Sequence, residues 1–160
     1  MQIKIGELDM WLEYMNQDVI DSFQRNLDIE DEAAREVFLD MLRFLWISSR
    51  YEDFKVNIID SPLLIIDEMW HNFVLFTKDY REFCDQYLGF FFHHCPTTKK
   101  DIDKHAESIR NGGGRNKLIE IKRERYSHIF DLLGEDVFKR WFLHYPNKYS
   151  REKILVLRKK

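Results

Sequence analysis

Between Pro62 and Leu88, side chains that avoid water recur at the period of an α-helix, and they do so on nearly every side of it. Ile66, Trp70, Phe73, Thr77, Tyr80, Cys84 and Tyr87 form one row at steps of three and four, and Met69, Phe76 and Phe83 form a second. A helix apolar around most of its girth belongs inside a protein, covered by other elements. Its ends are marked too. Asp60-Ser61-Pro62 offers a capping side chain followed by a proline, whose missing N–H costs nothing in a first turn. Gly89 can take the left-handed conformation that closes a helix. The rest of the chain must therefore supply amphipathic helices to cover a central one at about 62–88.

Those covering helices are present. Leu8, Trp11, Leu12, Met15, Val19, Phe23 and Leu27 share a stripe over 7–27, with a break expected near Asn16-Gln17-Asp18. A second helix is expected to begin at Asp28, with Asp31 placed as in a capping box, and to end near Ser48-Ser49. Ala34, Val37, Phe38, Met41, Leu42, Leu45 and Trp46 line it. Tyr51–Ile59 has no helical period and reads as a loop or one short extended piece, too little to build a sheet. Thr98 with Asp101 caps a charged surface helix whose only burial candidates are Ile102, Ala106 and Ile109. Asn111-Gly112-Gly113-Gly114 reads as a flexible connector, because the strand and the Lys-Ser/Thr of a phosphate-binding loop are missing. A further helix runs from Arg115 to Leu133, Gly134 punctuates it, and Val137, Phe138, Trp141 and Phe142 make a short final helix before Tyr145-Pro146. The pattern predicts a single all-α domain over 1–160: an irregular bundle of five to seven helices with a basic tail at 147–160 that frays or packs along a neighbour.

At 160 residues, with 44% hydrophobic and 15% aromatic side chains, the chain can bury a substantial core. No apolar run reaches the roughly 20 residues that cross a bilayer. The acidic N-terminus also lacks the basic start and apolar core of a signal peptide. A cytoplasmic protein with no membrane partner, its Cys84 and Cys95 reduced, is the expectation. Charge is uneven: residues 1–96 hold 8 Lys+Arg and 19 Asp+Glu, a net of −11, and residues 97–160 hold 17 and 9, a net of +8. Acids interleave the basic half and no nucleic-acid motif is present. That favours attraction between the halves, a protein partner or self-association over nucleic acid.

Chemistry concentrates in the central stretch, which carries both cysteines and three of the six histidines, His71, His93 and His94. Asp67 and His71 stand one turn apart on one helix face, as do Tyr80 and Cys84. A carboxylate and an imidazole at that spacing either share a metal ion or fix a histidine tautomer. A zinc or iron site would use Asp67, His71 and one of His93 or His94, since adjacent histidines do not easily point the same way. Three ligands leave the open position of a catalytic or sensing metal, and Cys84 would close the shell of a structural zinc. In the other reading Trp70 is a core residue and His71 is satisfied by Asp67 or a loop carbonyl, with no metal. No nucleophile stands beside a base, and HExxH, GxSxG and paired CxxC motifs are absent. A non-enzymatic interaction or scaffold module is the preferred reading.

Asp67-x-x-Trp70-His71, Phe73, Leu75-Phe76-Thr77, Tyr80, Phe83-Cys84, Gly89 and His93-His94 resemble the signature of the glycine-rich domain-containing-protein-like family, with Ser61-Pro62 as its lead-in. The resemblance spans roughly residues 60–95 and marks Trp70, Thr77, Tyr80 and Cys84 as structural motif positions. It implies an all-helical domain and no established reaction.

Distance separates the two readings of the cluster. An unbroken helix puts His71 about 27 Å from Gly89, and Phe90–Phe92 span only about 10 Å when extended. His71 and a later histidine can meet only if the helix bends, breaks near Thr77-Lys78-Asp79, or ends early. On a continuous helix Cys84 lies about 20 Å beyond His71, which excludes a direct dyad. Two separate polar networks without a metal are therefore expected.

Overall fold

The computed structural model describes residues 7–50, 63–111 and 113–160. Among these the architecture is all-α, with no strand and no helix long and apolar enough to cross a membrane. The expected cap at Asp60-Ser61-Pro62 and the Tyr51–Ile59 segment lie outside the described residues.

The elements follow one another as α1 (Leu8–Leu12), α2 (Gln17–Asn26), α3 (Asp31–Arg50), α4 (Leu64–Leu75) and α5 (Thr77–Phe83), which widens into a π turn at Cys84–Leu88. Next come α6 (Lys99–Arg110), α7 (Gly113–Leu133), α8 (Glu135–Lys139) with a second π turn at Arg140–His144, α9 (Tyr145–Lys148) and α10 (Arg151–Leu157). The stripe over 7–27 does break where expected: the Asn16 side chain accepts a hydrogen bond from the Val19 N–H at 3.2 Å and caps α2. Helix α3 begins three residues later than its sequence suggests. The Asp28 N–H is engaged by the Leu157 carbonyl at 2.8 Å, and the first helical bond runs from the Ala34 N–H to the Glu30 carbonyl.

The core forms where α3 packs along α4, with α1 and α2 against them. Ala34, Val37, Phe38, Met41, Leu42, Leu45 and Trp46 are all buried, as their spacing requires. Trp11, Phe38, Phe73 and Phe83 are fully buried, and Tyr14 bridges them, its ring 5.0 Å from Phe83 and 6.0 Å from Phe73. Helix α6, capped by the reciprocal Thr98–Asp101 bonds, stays on the surface with Ile102 and Ile109 exposed.

Gly113 and Gly114, expected to belong to a flexible connector, stand in the first turn of a helix. Helix α7 already starts at Gly113, and a Cβ on Gly114 would collide with the Ser108 carbonyl, so glycine permits the close crossing of α6 and α7. The final helix likewise runs past its expected end. The π turn at Arg140–His144 loosens the spiral just before Pro146, whose ring has no N–H to donate, and helix resumes as α9. The tail from Ile154 was expected to fray or to pack along a neighbour. Its end lies beside Asn26-Leu27-Asp28, with the Asp28 N–H on the Leu157 carbonyl and the Lys159 N–H on the Asn26 carbonyl at 2.9 Å.

One charged group is buried in the middle of this. Asp40, with no exposed surface, accepts two bonds from Arg140 at 2.7 and 2.8 Å, one from Arg43 at 2.7 Å and one from the Tyr145 hydroxyl at 2.5 Å. A carboxylate costs several kcal/mol to desolvate, and only this full set of donors offsets it. The fork ties α3 to the second π turn. Asp40→Ala strands two guanidinium groups and a buried hydroxyl, and is expected to lower stability by about 3–5 kcal/mol in urea unfolding.

Candidate metal-binding site

The central stretch is not one rod. Helix α4 ends at Leu75; Phe76 turns out of the helical region at φ −81°, ψ 66°, and its carbonyl accepts the first bond of α5 from the Tyr80 N–H at 2.8 Å. The break lies one residue before the Thr77-Lys78-Asp79 segment. Aromatic packing accounts for it. On a straight helix Phe73 and Phe83 would be about 15 Å apart along the axis, whereas their ring centroids lie 5.5 Å apart, with Tyr80 5.1 Å from Phe73. Bending the chain brings Phe73 into contact with both Tyr80 and Phe83. Asp79 secures the bend by accepting from the Asn16 amide at 2.8 Å.

A second redirection follows. The π turn places the Gly89 N–H on the Cys84 carbonyl at 2.9 Å, and Gly89 adopts φ 74°, the left-handed conformation that glycine takes without strain. The chain then runs back as non-helical segment 91–98. Phe92 is buried with its ring 5.5 Å from Trp70. Its carbonyl accepts from the Tyr80 hydroxyl at 2.5 Å, and that hydroxyl accepts from Trp70 Nε1–H at 3.1 Å.

Two residues on, His94 lies with its ring 4.1 Å from Trp70 and 4.0 Å from His71. His94 Nε2 is 2.9 Å from Asp67 Oδ1. His71 Nδ1 is 2.9 Å from the Asp67 backbone carbonyl and 3.3 Å from Asp67 Oδ2. A carbonyl oxygen can only accept, so Nδ1 is the donor in that bond and Nε2 of His71 is the nitrogen not engaged by it. Asp67, His71 and His94 each offer a ligand atom within 4.8 Å of one another. Exposure grades across the group, from 10% for the His94 side chain through 25% for Asp67 to 55% for His71. One side is walled by aromatic rings and the other faces solvent.

The remaining expected positions divide clearly. His93 stands outside the group: it is exposed, with its ring edge-on to Phe91 at 4.8 Å, because adjacent residues of an extended segment face opposite ways. The expectation of two separate networks is also corrected, since the break brings His94 to Asp67. Cys84 does not join them. It is buried, and burial pushes its thiol up, against the opposing influence of the Phe92 backbone and of Tyr80 beside it. Burial likewise drives the Tyr80 hydroxyl far above the usual phenol range. Trp70 and Tyr80 are core residues of the network, whereas Thr77 is exposed at the start of α5. Sequence reasoning missed Asn72, which is buried and donates to the Val19 carbonyl at 2.7 Å while accepting from Ser22 at 2.9 Å. A lone amide in an apolar helix was the available signal.

A family model described as UCP032817-like matches residues 12–112, more than half of the chain, and the chain belongs to that family. No curated protein and no solved structure matches it. The resemblance to the glycine-rich domain-containing-protein-like family is thereby corrected. Its motif was a helix-spaced set of core aromatics, a pattern that the packing of any buried helix demands. Asp67, His71 and His94 all fall within the matched region, as does Asp40, while Arg140 and Tyr145 fall beyond it.

Two outcomes follow from this geometry. Trp70→Ala, which removes the ring holding both Phe92 and His94, is expected to cost about 3–5 kcal/mol in thermal or urea unfolding. Under native conditions a thiol reagent should modify exposed Cys95 and spare buried Cys84, with the second thiol appearing only in denaturant.

Proposed function

We propose that this UCP032817-like chain binds a divalent transition metal, zinc or ferrous iron, through Asp67, His71 and His94. The observation that carries the reading is the convergence of three ligand groups within 4.8 Å from segments 27 residues apart in the chain. Two imidazoles and one carboxylate form a donor set suited to zinc or iron, whereas calcium and magnesium favour oxygen ligands. Three protein ligands leave coordination positions open, and the half-exposed His71 sets those positions toward solvent. A bound metal there would supply a Lewis-acid or redox centre reachable by a small molecule. Free Cys84 and Cys95 accord with a reducing, cytoplasmic setting.

One observation favours a second reading, a metal-free interaction or scaffold module. Asp67 already accepts from both imidazoles, so the polar groups are satisfied without an ion. Elemental analysis of tag-free protein purified without chelators separates the two. About one metal per chain is expected, lost in His71→Ala and in Asp67→Asn, with the melting temperature of the wild type rising on metal addition because only the folded state assembles the site. A folded protein that takes up neither zinc nor cobalt leaves the module reading standing.

A further inference from the structure

We infer that Tyr80 is a positioning residue of the Asp67–His71–His94 site, setting how tightly a metal is held without touching it. The inference rests on the metal-binding reading above. Asp67 and His71 belong to α4 and are held by its backbone, but His94 sits in a segment with no helical bonds of its own. Something else must fix it. Its side chain rests on Trp70, and the backbone two residues earlier is anchored by the Phe92 carbonyl on the Tyr80 hydroxyl at 2.5 Å. In extended chain, side chains two apart project to the same side; Phe92 and His94 accordingly meet the same Trp70 ring.

A single oxygen thus joins three pieces of chain. The Tyr80 hydroxyl extends from α5, accepts from Trp70 of α4 and donates to the returning segment. Tyr80 is 1% exposed, so water has no route to replace that oxygen. Removing it leaves the Trp70 N–H and the Phe92 carbonyl buried without their partner, and the loop relaxes to satisfy them. Such relaxation carries His94 with it. Outer-sphere partners of this kind alter metal affinity by about 10–100-fold.

Tyr80→Phe deletes only this oxygen and keeps the ring in the core. Cobalt(II) is the probe, because its visible absorption reports the ligand geometry directly, and binding is followed by titration of the wild type and two variants. Tyr145→Phe serves as the matched control: it also deletes a buried hydroxyl, the one on Asp40, and lowers stability away from the site. Tyr80→Phe is expected to bind cobalt about 10–100-fold more weakly with an altered absorption envelope, and Tyr145→Phe to keep wild-type affinity and spectrum. Tyr80→Phe binding within about twofold of wild type, with an unchanged spectrum, would overturn the inference while leaving the site intact. Equal weakening in both variants would also overturn it, since the loss would then track stability alone. If the wild type itself binds no cobalt, the metal-binding reading has failed instead.

Discussion

The break at Phe76 is the constraint on which the rest of the central structure depends. It contains neither glycine nor proline, and it brings into mutual contact the rings of Phe73, Tyr80 and Phe83, which a straight helix would spread over about 15 Å. Tertiary burial of three aromatic rings outweighs the backbone bonds given up at one residue. Everything downstream inherits the new direction: the π turn, the left-handed Gly89, and the return of Phe92 and His94 over Trp70. The exposed Leu75, at 77%, shows what the bend leaves outside.

Two aspartates illustrate how burial sorts polar groups into fixed and exchangeable ones. Asp40 is sealed from water, and its donors are guanidinium and hydroxyl groups that cannot leave without stranding it. Asp67 keeps a quarter of its side chain exposed, and its donors are two imidazoles, groups that can trade a proton for an ion. The first carboxylate holds helices together. The second has the freedom a binding site requires, and the aromatic wall behind His94 supplies the rigidity.

How much of this was legible in the sequence depended on how local the cause was. The stripe of α3, the Asn16 break, the Thr98–Asp101 cap and the Gly89 stop are set by neighbouring residues, and their spacing or chemistry displays them. Asp67 over His71 was equally visible, being one turn of helix. The meeting of His94 with that pair was visible only as a condition, because it requires a break that no local residue announces. The start of α3 was misplaced because Leu27 stays extended and bridges to Arg158, with the Asp28 N–H on the Leu157 carbonyl, contacts from the far end of the chain. Asp40 stayed hidden among Val37, Phe38, Met41 and Leu42, where a lone acid in a buried stripe was the one hint that a distant cation must come to meet it.

That last pairing has a bearing on how the protein is made. Asp40 lies 100 residues ahead of Arg140 and 105 ahead of Tyr145. During vectorial synthesis at roughly 5–20 residues per second, the helix bearing Asp40 emerges several seconds before its partners leave the ribosome. Throughout that interval the Asp40 carboxylate has Arg43 beside it but lacks the Arg140 and Tyr145 donors that offset its burial. Full burial of that carboxylate with its donors therefore waits for the second π turn, and a chain cut short of Arg140 forgoes the fork that offsets its desolvation.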